Sequence, residues 1–264
     1  MNVSYDFSGR TAFITGAGSG IGRATALAFG AAGADVAVSD VAEPGGLETV
    51  ELIRAAGGSA EFFQLDVADT AAVERVVGAV VDRFGRLDIA HNNAGVLPPP
   101  ARFGEIAEAD WRRVLDVNLD GVYHCVQAEL RAMVPAGRGA IVNTASAAGL
   151  FVGYQQSAYT VSKHALIGLT RQAAVDHAKD GIRVNAICPG AVDTPFVPGT
   201  PPKAVFDRLM LGVPLKRMAT AEEIAAAVLW LASDAASYVN GVALPVDAGL
   251  TILSAGSDFS DLDL

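Results

Sequence analysis

The chain has 264 residues, of which 51% are hydrophobic and 18% charged, and its formal net charge is −10. This much apolar material can form a sizeable core, which excludes a disordered protein. The negative charge opposes binding to polyanions, so we expect neither a nucleic-acid partner nor an anionic membrane surface. Cys125 and Cys188 lack metal-type spacing, and we expect buried thiols and no metal site. The N-terminus shows no signal-peptide pattern, so we expect a cytoplasmic protein.

The first predicted strand, at 10–14, meets a predicted helix at 23–29 through a glycine-dense turn at 15–22. Glycines permit positive φ angles and a close backbone approach, and the N-terminus of a helix favours phosphate. Loops collect glycine anyway, so an ordinary structural turn is the alternative. However, a second strand at 35–40 ends in Asp40 at a distance of about 20 residues, the usual place of a carboxylate that binds the adenosine ribose. Together these features predict dinucleotide binding.

The next elements are a helix at 44–56, a strand at 60–65, a helix at 70–84 and a strand at 87–91. Asp66 follows the third strand and could meet the adenine amino group. The alternatives are that Asp66 is a turn residue or that Asp69 caps the next helix. The fourth strand leads into small and amide-bearing residues at 92–95, at the edge where open α/β sheets bind ligands.

The second half of the chain contains two long predicted helices, at 110–134 and 157–179. Asn118 lies inside the first helix, where a buried amide usually bridges two structural elements. Tyr159 and Lys163 lie one turn apart on the second helix and therefore share a face. A strand at 139–145 precedes Ser146, and a strand at 183–188 ends at Pro189 and Gly190.

The sequence of the C-terminal part predicts a lid or binding loop at 193–212, a capping box at 220–223 and a last strand at 241–247. The tail at 254–264 is expected to lie in solvent. No repeat or composition break divides the chain. We therefore predict one domain over 1–264, an α/β Rossmann-type doubly wound fold with about seven parallel strands and helices on both faces.

These motifs, taken in order, resemble those of the short-chain dehydrogenase/reductase family over nearly the whole chain. The C-terminal segment at 246–249 departs slightly, because relatives more often have two glycines there. The motifs are Thr15-Gly16-x-x-x-Gly20-Ile21-Gly22, Asn92-Asn93-Ala94-Gly95, Asn118, Ser146, Tyr159-x-x-x-Lys163, Pro189-Gly190 and Pro214-Leu215-Lys216-Arg217.

The resemblance implies a catalytic set of Asn118, Ser146, Tyr159 and Lys163. Hydride transfer at a carbinol carbon requires a proton acceptor or donor for the oxygen, which is the role implied for Tyr159. Lys163 and an oxidised nicotinamide would favour the phenolate, and Lys163 would also bind the nicotinamide ribose. Ser146 would donate to the substrate oxygen, and Asn118 would tie its helix to a water. The alternative for Tyr159 and Lys163 is an exposed helical pair.

NAD is the predicted cofactor, because Asp40 would repel a 2′-phosphate and neither 17–19 nor 41–42 contains an Arg or Lys to bind one. The predicted cofactor-binding residues are Gly16, Ser19, Gly20, Ile21, Gly22, Asp40, Asp66, Val67, Asn93, Ala94, Gly95, Tyr159, Lys163, Pro189, Gly190, Val192 and Thr194.

The predicted substrate pocket is apolar, and its stretches hold no Arg or Lys, which favours a hydrophobic secondary alcohol or its ketone. Two other functions stay open: a 3-ketoacyl thioester reductase and a non-catalytic NAD-binding sensor. By resemblance, the helices with Asn118 and Tyr159 would form a homotetramer. The pocket residues are Leu97, Ala148, Phe151, Tyr154 and Phe196.

Overall fold

The computed structural model describes residues 4–196, 207 and 210–253. Within these ranges seven parallel strands form one sheet in the order β3-β2-β1-β4-β5-β6-β7. The strands are β1 (Thr11–Thr15), β2 (Asp35–Asp40), β3 (Ser59–Gln64), β4 (Ile89–Asn92), β5 (Gly139–Thr144), β6 (Ile182–Pro189) and β7 (Ala243–Val246). This sheet confirms the predicted Rossmann-type α/β class.

Helices cover both faces of the sheet, which is why the central strands are nearly continuous apolar runs. One core layer packs the helices at 70–84, 121–133 and 157–177 on one face, and the other packs the helices at 20–31, 43–55 and 221–232 on the opposite face. The helices are α1 (Gly20–Ala31), α2 (Glu43–Ala55), α3 (Thr70–Phe84), α4 (Glu108–Leu115), α5 (Gly121–Met133), α6 (Ser157–His177) and α7 (Ala221–Ala232).

The strand order reverses between β1 and β4, because β1 pairs with β2 on one side and with β4 on the other. In open α/β sheets the crevice at such a reversal, outside the carboxyl ends of the strands, is where ligands bind. The topology therefore places the glycine turn after β1 beside the segment 92–95 after β4.

The helix predicted at 110–134 is interrupted. A π-helical segment, Asp116–Asp120, separates α4 from α5, and Asn118 lies in its middle. A π segment inserts one residue into the helical repeat, which a 3.6-residue apolar periodicity does not reveal. The predicted long helix is therefore present, but it contains a π segment at the position of its proposed functional residue.

Several local predictions are confirmed. Asp69 caps α3 by accepting from the Ala72 N–H, and Thr220 and Glu223 form the capping box of α7. Cys125 and Cys188 are buried free thiols. Most of the predicted loop at 193–212 and the tail at 254–264 lie outside the described residues. None of the helices within the described ranges combines the length and apolar character that crossing a bilayer requires.

Candidate active site

A cavity of about 710 Å³ opens at the carboxyl ends of the strands, where both halves of the sheet contribute to its walls. Most of the predicted site residues line this cavity. The predicted residues that line it are Gly16, Ser19, Gly20, Ile21, Asp40, Asp66, Val67, Asn93, Ala94, Gly95, Leu97, Ser146, Ala148, Phe151, Tyr159, Lys163, Pro189, Gly190, Val192, Thr194 and Phe196. Gly22, Asn118 and Tyr154 do not line it.

The glycine turn needs its glycines for two separate reasons. Gly16 and Gly20 have φ angles of 63° and 51°, in the region that favours glycine. A Cβ on Gly22 would overlap the carbonyl oxygen of Gly16, so the helix can pack this closely on the turn only without a side chain. Gly22 thus shapes the site from behind the cavity wall.

The N-terminus of α1 is open toward the cavity. Its N-cap residue, Ser19, makes no side-chain capping hydrogen bond, and the first turn contains no acidic residue. Ser19, Gly20 and Ile21 all line the cavity. Unpaired N–H groups and the positive end of the helix dipole are suited to a phosphate, so this part of the site fits a dinucleotide.

Asp40 is fixed by two backbone donors. Its carboxylate accepts from the Gly18 N–H and the Ala42 N–H, both at 2.8 Å. The guanidinium of Arg23, which the sequence did not single out, lies beneath the same turn and donates to the Gly18 carbonyl and to Glu48, each at 2.5 Å. Arg23 is therefore already paired with an acid, Glu48.

Thr15 joins the turn to the segment after β4. Its hydroxyl accepts from the Asn93 N–H at 3.0 Å and the Ala94 N–H at 3.1 Å. The Asn93 side-chain amide donates back to the carbonyls of Thr15 and Gly16, at 3.2 and 3.3 Å. The two walls of the cofactor end are consequently one hydrogen-bonded unit.

Asn118 bridges the π segment to the backbone at Val96. Its Oδ1 accepts from the Val96 N–H at 2.8 Å, and its Nδ2 donates to the Val96 carbonyl at 2.9 Å. Asn118 is fully buried. The structure therefore shows the bridging role, while the water proposed for this residue stays a prediction.

Lys163 is buried on α6, and its ammonium donates to the Thr144 carbonyl at 2.7 Å. Its Nζ lies 5.6 Å from the centroid of the Tyr159 ring. Burial lowers the pKa of Lys163 to about 8, against a smaller opposing effect of Cys188. Desolvation thus disfavours the charged form of Lys163, which is the form that was expected to favour the Tyr159 phenolate.

Burial also raises the pKa of Tyr159, and a hydrogen bond with Ser146 acts in the opposite direction. In the protein alone, the expected lowering of the Tyr159 pKa by Lys163 does not dominate, because desolvation penalises the phenolate more strongly. Ser146 in addition accepts from the Ala148 N–H at 3.1 Å. The protein by itself therefore holds Tyr159 as a neutral phenol.

The substrate end of the cavity is apolar. Phe196 lies over Tyr159, with 6.4 Å between the ring centroids. Tyr154, by contrast, is fully exposed and lines a neighbouring cavity with Phe103 and Val152. The structure thus does not bring Tyr154 to the reacting centre.

One cation in the main cavity was not predicted. Arg113 lines it, as does Val117, which lies one turn further along the same helical stretch. Arg113 therefore adds a positive charge to the cavity lining beyond the predicted residues. Over the described ranges no cluster of His, Cys, Asp and Glu could hold a metal ion.

This sheet with an open helix N-terminus, an acid at the end of β2 and a Ser-Tyr-Lys set in one cavity defines a Rossmann-type oxidoreductase. The family model described as Enoyl-(Acyl carrier protein) reductase matches residues 16–251. The chain belongs to the short-chain dehydrogenase/reductase family, as the motifs predicted.

Similar proteins have been characterised or solved. The chain is 43% identical over 245 residues to cis-4-hydroxycyclohexanecarboxylate dehydrogenase of Sinomonas cyclohexanicum, covering 93% of this chain and 98% of that one. The structure of levodione reductase matches with a TM-score of 0.91 at 39% identity, covering 94% of this chain and all of that one (100%). The structure of carveol dehydrogenase from Mycobacterium avium in complex with NAD matches with a TM-score of 0.90 at 33% identity, covering 95% of this chain and 100% of that one.

Proposed function

We propose that the protein interconverts a hydrophobic secondary alcohol and its ketone by hydride transfer with NAD(H), with Tyr159 as the acid/base. The observation that carries this proposal is that Ser146, Tyr159 and Lys163 line the same cavity as the open N-terminus of α1. Relatives named cyclohexanol dehydrogenase and levodione reductase support the substrate class. A relative solved with NAD supports a nicotinamide cofactor.

When bound, the nicotinamide supplies or accepts the hydride. The residues of the chain handle the proton and the orientation. Tyr159, held as a phenol by burial, is ready to donate a proton to a carbonyl oxygen, whereas alcohol oxidation requires its deprotonation first. Ser146 stands within hydrogen-bond reach of Tyr159 and would hold the same substrate oxygen. Phe196 and Phe151 would exclude water from this end.

A substrate screen that follows NADH absorbance tests the reaction. We expect turnover with cyclic or other hydrophobic secondary alcohols, and Tyr159→Phe should lower kcat by about 10²- to 10⁴-fold while NAD still binds, because it removes only the acid/base. Tyr238→Phe is the matched control, since Tyr238 is fully exposed and does not line the cavity. Turnover of hydroxy acids or sugars and of no hydrophobic alcohol would contradict the substrate class.

The preference for NAD(H) over NADP(H) is proposed from Asp40. A 2′-phosphate near its carboxylate would meet like charge, which costs several kcal/mol in a desolvated contact. Asp40→Ala should weaken binding of both cofactors, because it releases the Gly18 and Ala42 N–H groups, but should lower the NAD/NADP ratio of kcat/KM by about tenfold or more. Asp35→Asn, at the opposite end of β2, should leave this ratio unchanged.

If the wild type prefers NADP(H), the cofactor proposal is wrong.

The Tyr159→Phe variant and the substrate screen also separate the two alternative functions. A sensor would keep its function in Tyr159→Phe, whereas an enzyme would lose turnover. A 3-ketoacyl thioester reductase would act on thioesters in the screen, although a chain of net charge −10 is a poor electrostatic match for an acidic carrier protein.

A further inference from the structure

His91 is the last but one residue of β4 and is fully buried, next to Ile14 of β1 in the sheet. Its Nε2 lies 2.8 Å from the Thr144 hydroxyl at the end of β5. That hydroxyl lies 3.4 Å from the side-chain carbonyl of Asn93 and donates to it. Three side chains from two neighbouring strands and the following segment therefore form a chain directly beneath the cofactor end of the cavity.

The position of the imidazole proton follows from the partners. His91 Nδ1 is buried and has no hydrogen-bond partner among the described residues. A proton there would be an unsatisfied buried donor, at a cost of about 1–3 kcal/mol. A proton on Nε2 is donated to Thr144, whose own proton is then free for Asn93. Burial lowers the pKa of His91 to about 3, so the ring is neutral and carries one proton at neutral pH.

The chain determines which way the Asn93 amide faces. With its carbonyl oxygen held by Thr144, its NH₂ group points to the carbonyls of Thr15 and Gly16. A flipped amide would set its oxygen against those two carbonyl oxygens, which is repulsive. Gly16 and Gly22 also leave room for this NH₂ group. A Cβ on Gly16 would lie 3.1 Å from its nitrogen, and a Cβ on Gly22 would lie 2.7 Å from it.

Thr144 connects the chain to the acid/base pair as well. Its carbonyl accepts from the Lys163 ammonium while its hydroxyl stands between His91 and Asn93. The same residue thus takes part in holding Lys163 and the glycine turn.

We propose that His91, as its Nε2–H tautomer, is a positioning residue that acts through Thr144 and Asn93 to hold the glycine turn in its cofactor-binding geometry. This inference rests on the proposed dinucleotide-dependent function. It assigns His91 a role that the sequence does not indicate, since the four histidines of the chain show neither triad nor metal spacing.

The test compares His91→Leu, Thr144→Val, their double variant and His91→Gln, whose amide N–H can replace the Nε2 donor. Each lost link should raise the dissociation constant for the preferred dinucleotide by about three- to tenfold, with a smaller change in the KM for the alcohol. The double variant should be no weaker than either single variant, because both break one chain. His91→Gln should recover most of the affinity.

Nitrogen NMR of the folded wild-type protein gives a readout that needs no turnover. We expect a proton on His91 Nε2, none on Nδ1, and no titration of the ring near neutral pH. A proton on Nδ1, additive effects in the double variant, or unchanged dinucleotide affinity in folded His91→Leu would each overturn the inference. If the wild type binds no dinucleotide, the proposed function fails, while the tautomer is still decided by NMR.

Discussion

Glu129, on α5, is a carboxylic acid in the apolar layer beneath the sheet. It is fully buried, and its Oε2 accepts from the Asn92 amide at 3.0 Å. The same amide donates to Asn143 on β5, also at 3.0 Å. Burial raises the pKa of Glu129 to about 8, against the opposing hydrogen bond from Asn92. Burial therefore favours the protonated form of Glu129 at neutral pH in the folded chain.

This pKa predicts a pH-dependent stability. The folded-state pKa lies above the unfolded value of 4.5, so the stabilisation is complete below that value and is lost as the pH rises through about 8. We expect the Tm of the wild type to fall over this window and Glu129→Gln to flatten the fall. Glu222→Gln, exposed in the first turn of α7, is the control. Parallel curves for wild type and Glu129→Gln would show that another group titrates.

Some site residues were predictable because their evidence is local. Tyr159 and Lys163 lie one turn apart on one helix, so their shared face follows from helix geometry. The hydrogen bond from His91 to Thr144 joins residues 53 positions apart and exists only because β4 pairs with β5. Arg113 reaches the cavity through the rotation of its helix, which the surrounding sequence does not specify. The contacts that were not predicted from the sequence are thus those that depend on non-local packing.

At the scale of elements, the π segment shows how one inserted residue changes a functional contact. Asn118 in an uninterrupted helix would follow the 3.6-residue repeat of α4, whereas the insertion shifts the register of everything after it. With this register its amide meets both backbone groups of Val96. The sequence predicted a bridging amide but not the helix geometry that aims it.

The turn between β1 and α1 gives a prediction with an internal control. Gly22→Ala should weaken dinucleotide binding by more than about tenfold and lower the Tm, because its Cβ would overlap the Gly16 carbonyl and force the turn to move. Gly78→Ala, on the exposed face of α3 with open space for a Cβ, should instead stabilise by about 0.5–1 kcal/mol. The measurements are dinucleotide titration and thermal unfolding. Equal effects of the two substitutions would contradict the packing argument.

At the scale of the whole molecule, apolar side chains remain exposed on the two helices expected to meet neighbouring subunits. Tyr123 on α5 and Val161 and Val175 on α6 are 46%, 41% and 75% exposed. The family resemblance implies a homotetramer, with a mass four times 27.1 kDa in light scattering, and we propose that these exposed side chains lie at its interfaces. Val175→Lys should weaken assembly if this face is buried. A monomeric mass for the wild type would reject the prediction.

The class of the fold followed from alternating strands and helices, whereas the order of the strands did not. Periodicity identifies the strands without identifying their neighbours, because an apolar pattern does not specify the strand with which it pairs. The pairing of β1 with β4, which builds the site, involves segments separated by two strands and three helices.

This pairing has a consequence for how the protein is made. The Asn93 amide that supports the glycine turn bonds to residues 77 and 78 positions earlier, and Lys163 arrives from α6, later still. Contacts of such separation form slowly, because the loop entropy is lost before they stabilise anything. A nascent chain that has finished β1 and α1 therefore has the residues of the turn but neither the contacts that hold it nor the cofactor site. The site becomes complete only when the second half has joined the sheet, and dinucleotide binding then stabilises both halves together.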